Sequence, residues 1–221
     1  MRARHRLSVL TVLVFIAGCA GVKPPEKPDL PGLVPSSLRA EATVEIKRAF
    51  SVVGRARVLA KSPASFRVEV FGPFGQTAAL LGSDGETIYM LTDEGVVEYG
   101  RDATLKDGEI PYPLKPEEIV SFLLGTPLAE SENGRQATEA SRDEYGRLKS
   151  FTRDVEGRPP LKVAIEDYRV ISGANIPGKI TIDDGKRSVM IRYREIEVNP
   201  GLDEEAFRFT GAGTAESNKV D

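Results

Sequence analysis

Residues 65–85 read SFRVEVFGPFGQTAALLGSDG. Phe66, Val68 and Val70 alternate with Ser65, Arg67 and Glu69, a period of two that puts apolar side chains on one face of an extended chain and polar ones on the other. Gly72-Pro73-Phe74-Gly75 then turns the chain, because proline presets one backbone angle and glycine adopts conformations closed to other residues. Gln76 to Leu81 runs back and Ser83-Asp84-Gly85 turns again. Strands joined by short glycine-containing turns predict an antiparallel meander.

The pattern extends in both directions. Upstream, Ala42, Val44 and Ile46 alternate with Thr43 and Glu45, and a second strand spans Phe50 to Lys61 with Gly54 inside it, where a bend or bulge is expected. Downstream, Thr87 to Thr92 and Val96 to Tyr99 flank an Asp93-Glu94-Gly95 turn. Later strands are read at Glu144 to Arg153, Leu161 to Ile171, Gly178 to Ile182 and Ser188 to Val198, after a polar stretch, Ser131 to Ser141, that suits a loop or a poorly formed strand. In the last strand the apolar phase slips between Tyr193 and Ile196, the mark of a bulge.

One segment has helical spacing. Pro116-Glu117-Glu118-Ile119-Val120-Ser121-Phe122-Leu123-Leu124-Gly125 puts proline and two acids in the first turn and glycine just past the end. Its apolar face is too broad for an exposed helix, so it should cover or plug the sheet. These elements together predict a mainly β (α+β) fold and leave a sandwich or an incompletely closed barrel; long strands with bulges and a single apolar helix favour a curved antiparallel sheet forming a half-open β-barrel, with one or two short helices on its concave face. The inward residues of such a sheet are Phe66, Val68, Val70, Leu80, Ile88, Met90, Ile119, Phe122, Leu123, Ile165, Ile180, Ile182 and Ile191. They line a cavity or fill a core, and only the enclosed volume separates the two.

Residues 65–85 and 176–209 (IPGKITIDDGKRSVMIRYREIEVNPGLDEEAFRF) resemble the outer-membrane lipoprotein carrier and receptor superfamily of the Lol system, also called LolA/LolB-like. The shared features are a strand entering a Pro-Leu-Gly-like turn, and a hairpin around Asp184-Gly185 that leads to a final strand and a closing Asn199-Gly201-Asp203-Phe207-Phe209 pattern. The resemblance implies a half-barrel whose apolar cavity takes the acyl chains of lipids or lipoproteins. The receptor's turn carries an exposed leucine associated with delivery into the membrane, and Phe74 stands at that position here. It is a candidate for membrane or partner contact if exposed; folded back, it would cap the core. The second and third lid helices of the carriers have no counterpart in this sequence.

The amino terminus sets the compartment. Arg2, Arg4 and Arg6 precede an apolar run, Leu7 to Ile16, of the length of an export signal and too short to span a bilayer. Ile16-Ala17-Gly18-Cys19 resembles the lipobox of bacterial lipoproteins. By that resemblance residues 1–18 are a signal peptide, and Cys19, the one cysteine of 221 residues, becomes the acylated first residue and joins the protein to a membrane. Ala20 follows it instead of aspartate, which implies sorting to the periplasmic face of the outer membrane. Residues 19–37, with prolines at 24, 25, 28, 31 and 35, are expected to be too polar to fold: an extended tether if Cys19 is anchored, simply a tail if it is not. The half-barrel domain spans 38–210 and a polar tail 211–221.

Processing removes three arginines, taking Lys+Arg from 30 to 27 against 33 Asp+Glu, a net charge of −6 instead of −3. An acidic domain is a poor partner for nucleic acid. The single histidine, His5, leaves with the signal, so histidine-centred metal sites and histidine-assisted nucleophiles are ruled out of the mature chain, and no cofactor or catalytic role is expected. The reading is a monomeric, membrane-anchored periplasmic lipoprotein that binds lipid or lipoprotein acyl chains. The alternative is an assembly lipoprotein that uses the same scaffold to hold an envelope protein partner. Two or more acyl chains give stable anchorage where one is marginal, so a Cys19→Ala chain is expected to stay uncleaved or turn up in the soluble fraction; fractionation identical to the parent would refute the lipid anchor.

Overall fold

The computed structural model describes residues 32–47, 51–92, 95–101, 114–128 and 138–209; the signal peptide, Cys19 and most of the tether lie outside them. Six strands follow one another as a meander: β1 (Ser37–Lys47), β2 (Ser51–Lys61), β3 (Ser65–Phe71), β4 (Thr77–Asp84), β5 (Thr87–Thr92) and β6 (Gly95–Gly100). The helix α1 (Pro116–Leu124) comes next, then β7 (Thr138–Arg142), β8 (Leu148–Arg153) and β9 (Leu161–Glu166), a small hairpin of β10 (Arg169–Ile171) and β11 (Ala174–Ile176), and finally β12 (Lys179–Asp183) and β13 (Ser188–Val198). A 3-10 turn, Glu204–Phe207, closes the described chain.

Eleven of these strands make one antiparallel sheet in the order β6-β5-β4-β3-β2-β1-β13-β12-β9-β8-β7. The sheet curves without closing, because its edge strands β6 and β7 do not pair with each other. The first and last strands meet at its middle. Between Glu41 and Ala42 their register jumps from Glu195 to Tyr193, leaving Arg194 as the extra residue of a bulge where the apolar phase slips in sequence.

Some expectations change. Gly54 makes no bulge: its pairing with Val44 is continuous, and a side chain there would lie 2.8 Å from a methyl of Val70, so glycine is needed for close approach. The strand expected from Glu144 begins only at Leu148, after a turn in which Asp143 accepts from the Tyr145 and Arg147 backbone N–H groups. The strand from Leu161 breaks after Glu166, where Asp167 takes φ 57° and the chain leaves the sheet to form the β10–β11 hairpin. Thr138–Ser141 belong to edge strand β7, and the rest of the polar stretch before them lies outside the described residues.

The core lies between the concave face and α1. Ala40, Ala42, Ala56 and Ala60 are buried on the central strands, and their short side chains leave room for the helix to approach. Phe122 is 1% exposed and its ring meets that of Phe151 at 5.4 Å, tilted by 60°. The 3-10 turn covers the other face: Phe207 packs with Leu202 and Leu59, and Leu59 points away from its buried neighbours Val58 and Ala60. Since Phe122 is packed against a ring, Phe122→Ala should cost about 3–5 kcal/mol in a urea titration; a loss below about 1 kcal/mol would mean that α1 rests loosely on the sheet.

Candidate functional site

The helix is short for the surface it covers. Nine residues of α1 span about 13 Å, whereas the eleven of β1 span about 36 Å. The concave face beyond the helix is left as an apolar cavity of about 170 Å³, open on one side. Phe66, Val68, Val70, Leu80, Met90, Ile119, Phe122, Leu123, Ile180, Ile182 and Ile191 line it together with Val44, Ile46, Ala79, Leu81, Leu91, Leu114, Val189 and Arg187.

Two of the inward residues lie elsewhere. Ile88 has the inward phase of Met90 but sits two pairs further along, opposite Ser83, where it is buried off the cavity. Ile165 pairs with Ile180 from the next strand out and joins the solid core, beyond the edge of the cavity. Among the added residues, Val44, Ile46 and Val189 follow the alternation of their strands and were legible from it. Leu114 precedes the helix and Arg187 stands in the turn Asp184-Gly185-Lys186-Arg187, positions with no apolar period to reveal them.

Polar contacts hold the helix over the cavity. Glu118 does two jobs: its Oε2 accepts the backbone N–H of Lys115 at 2.9 Å, capping the first turn, and its carboxylate pairs with Arg153 of β8, whose Nη1 donates at 3.1 Å. The neighbouring Glu117 pairs with Arg101, just past β6. Adjacent carboxylates thus tie α1 to strands on both sides of the sheet's opening. At the other end, Gly125 caps the helix at φ 70°, with Pro177 so close that a side chain there would fall 2.7 Å from its ring. The Tyr193 hydroxyl donates to the Leu123 carbonyl at 3.1 Å, and burial pushes its pKa far up, so it stays a protonated donor. Tyr168, its pKa pushed up to about 12 by burial and partly offset by Arg147, donates to the Leu148 carbonyl at 2.8 Å.

The two ends of the sheet differ. Where the chain enters, Leu33 bridges to Ala174, and the Asn199 side-chain oxygen accepts the Ser36 N–H at 2.8 Å. The opposite end carries the β3–β4 and β12–β13 turns and the cavity residues Ile46 and Val189. Phe74 is 93% exposed at the first of these turns, held by Gly75 at φ 83° and by its own N–H donating to Gln76 Oε1 at 3.1 Å. Val53, 63% exposed, lies beside that turn on β2, next to Gly54. A phenylalanine left in water forgoes roughly 1.5–3 kcal/mol of burial.

No protein-family model matches the chain, and no curated protein does. Solved structures do match in fold. A LolA superfamily protein from Nitrosomonas europaea has a TM-score of 0.51 at 12% identity, over 80% of this chain and 92% of its own. A DUF1329 family protein from Desulfovibrio piger has a TM-score of 0.53 at 12% identity, over 79% and 90%. A domain described as an outer membrane lipoprotein-sorting protein, from Vibrio parahaemolyticus, has a TM-score of 0.51 at 10% identity, over 78% and 89%. At 10–12% identity the likeness is one of fold: the open half-barrel is shared with all three.

Removing one partner of the Glu118–Arg153 pair strands a largely buried charge. Arg153→Met is expected to lower stability by about 3 kcal/mol in urea unfolding, and Glu118→Leu with it to recover part of that loss. Strictly additive losses in the double-mutant cycle would show that the two groups do not act as a pair.

Proposed function

We propose that this chain is a lipid-anchored envelope protein whose half-barrel shelters an acyl chain of a lipid or lipoprotein at the periplasmic face of the outer membrane. The observation that carries the reading is the apolar cavity between α1 and the sheet. A fully filled core would leave no such space, and interiors are normally packed without voids of this size. The fold likeness to LolA superfamily proteins and the lipobox-like start support the same reading. The protein acts here as a binding module and not as an enzyme.

Anchor and cavity would then work on the same membrane. Residues 1–18 would be removed as the signal, and Cys19 would hold the acyl groups. From Cys19 to Gly32 there are 13 residue steps, about 40 Å when extended. That matches the roughly 36 Å of β1 between the end where the chain enters and the end bearing Phe74. The tether is thus long enough for the tip to reach the bilayer that holds the anchor. Phe74 and Val53 would enter the interface at the end of the sheet that carries the cavity residues Ile46 and Val189, and an aromatic side chain is well accommodated at such an interface.

A second reading rests on the same exposed tip, which also suits an apolar pocket on an envelope protein. Phe74→Glu separates the possibilities. The melting temperature should stay within about 2 °C of the parent, since the side chain packs on nothing. Binding to liposomes should fall severalfold. Unchanged liposome binding with loss of a co-purifying envelope protein would favour the assembly reading, and a large fall in melting temperature would refute an exposed Phe74.

A further inference from the structure

The size of the cavity and its one charged wall residue narrow the ligand. About 170 Å³ is close to the roughly 150 Å³ of an apolar cavity that accepts a single benzene ring, and below the roughly 300–1,000 Å³ of pockets that enclose larger ligands. Space of that order takes about six carbons of one chain. A second chain alongside would have to displace Phe122, which is packed against Phe151, or lift α1 from its ties to Arg101, Arg153 and Tyr193.

Arg187 is the one charged residue lining the cavity among the described residues. Its side chain is 22% exposed, with Nε 3.7 Å from the Asp184 carboxylate, and its backbone N–H donates to Asp184 Oδ1 at 2.6 Å. The β12–β13 turn thereby fixes it at the rim, beside Ile182 and Val189. An arginine can run its aliphatic stem along an apolar wall while its planar guanidinium faces the opening, in the geometry that recognises carboxylate or phosphate.

We propose that the cavity selects a single unbranched acyl chain with an anionic head, the chain end lying under α1 and the carboxylate or phosphate at Arg187. This rests on the acyl-binding reading above and restricts it to single-chain amphiphiles. It accounts for both the limited volume and the placement of a cation in an otherwise apolar wall.

Titration calorimetry on the full chain with hexanoate, octanoate, decanoate, dodecanoate and hexadecanoate tests the volume. Affinity should rise about fourfold per methylene and then level off once the chain outgrows the cavity. Dioctanoyl phosphatidylglycerol should bind no more tightly than octanoate. Arg187→Gln should weaken decanoate and decyl phosphate about tenfold while leaving decanol unchanged, and the tighter of the two anions in the parent protein names the headgroup. Affinity that climbs without a break to hexadecanoate, or tighter binding of the two-chain lipid, overturns the single-chain inference and leaves acyl binding intact. An equal loss for decanol overturns the role given to Arg187. If no acyl compound binds at all, the acyl-binding reading falls as well.

Discussion

A sheet with one apolar face must have that face covered, and among the described residues a single α-helix of nine residues is available to do it. Much of the molecule follows from this mismatch. Alanines beneath the helix let it come close, larger aliphatic residues take over beyond its reach, and the remaining space is the cavity. Curvature brings the outer strands toward one another, which lets so short an element touch both halves of the sheet. Glu117 and Glu118, adjacent in sequence, reach arginines on opposite sides of the opening. The lid is therefore held by charge at one end and by a buried tyrosine hydroxyl at the other, with Phe122 as the apolar bolt between.

The second constraint is the pairing of β1 with β13. Two meanders, one on each side of the helix in sequence, become one sheet only through this ladder between the ends of the domain. It is reinforced by Asn199, which accepts backbone and side-chain donors of Ser36. The bulge at Arg194 allows two long strands to bend together without losing the burial of Tyr193 and Ile196 on the inner side. Beyond it the chain folds back over the outer face, where Phe207 and Leu202 cover Leu59.

These features divide the domain along its strands. One end receives the chain and is closed by polar contacts between the first and last strands. The other carries the cavity residues Ile46 and Val189, the turn with Arg187 and the exposed tip at Phe74. The exposed apolar tip and the arginine of the cavity wall thus stand at the same end of the sheet, opposite the end where the chain enters.

Alternation along residues 65–71, 37–47 and 188–198 was enough to read a curved antiparallel sheet, and the phase slip before Ile196 was enough to locate its bulge, because a period of two records directly which side chains face inward. Proline, acids and glycine likewise marked the ends of α1 to within a residue. The limits of the cavity were not legible. Ile88 and Ile165 share the inward phase of their neighbours and yet lie off it, since phase reports the face of the sheet and not the distance from the helix. Arg187 belongs to a turn, where no period exists, and Phe74 could equally have folded inward as outward on local chemistry alone. Tertiary structure decided those matters: the limits of the cavity and the place of Arg187 in its wall depend on how far a nine-residue helix extends over strands that are brought together across more than a hundred residues of chain, and Phe74 points outward because the turn that holds it projects past the sheet with nothing packed over it.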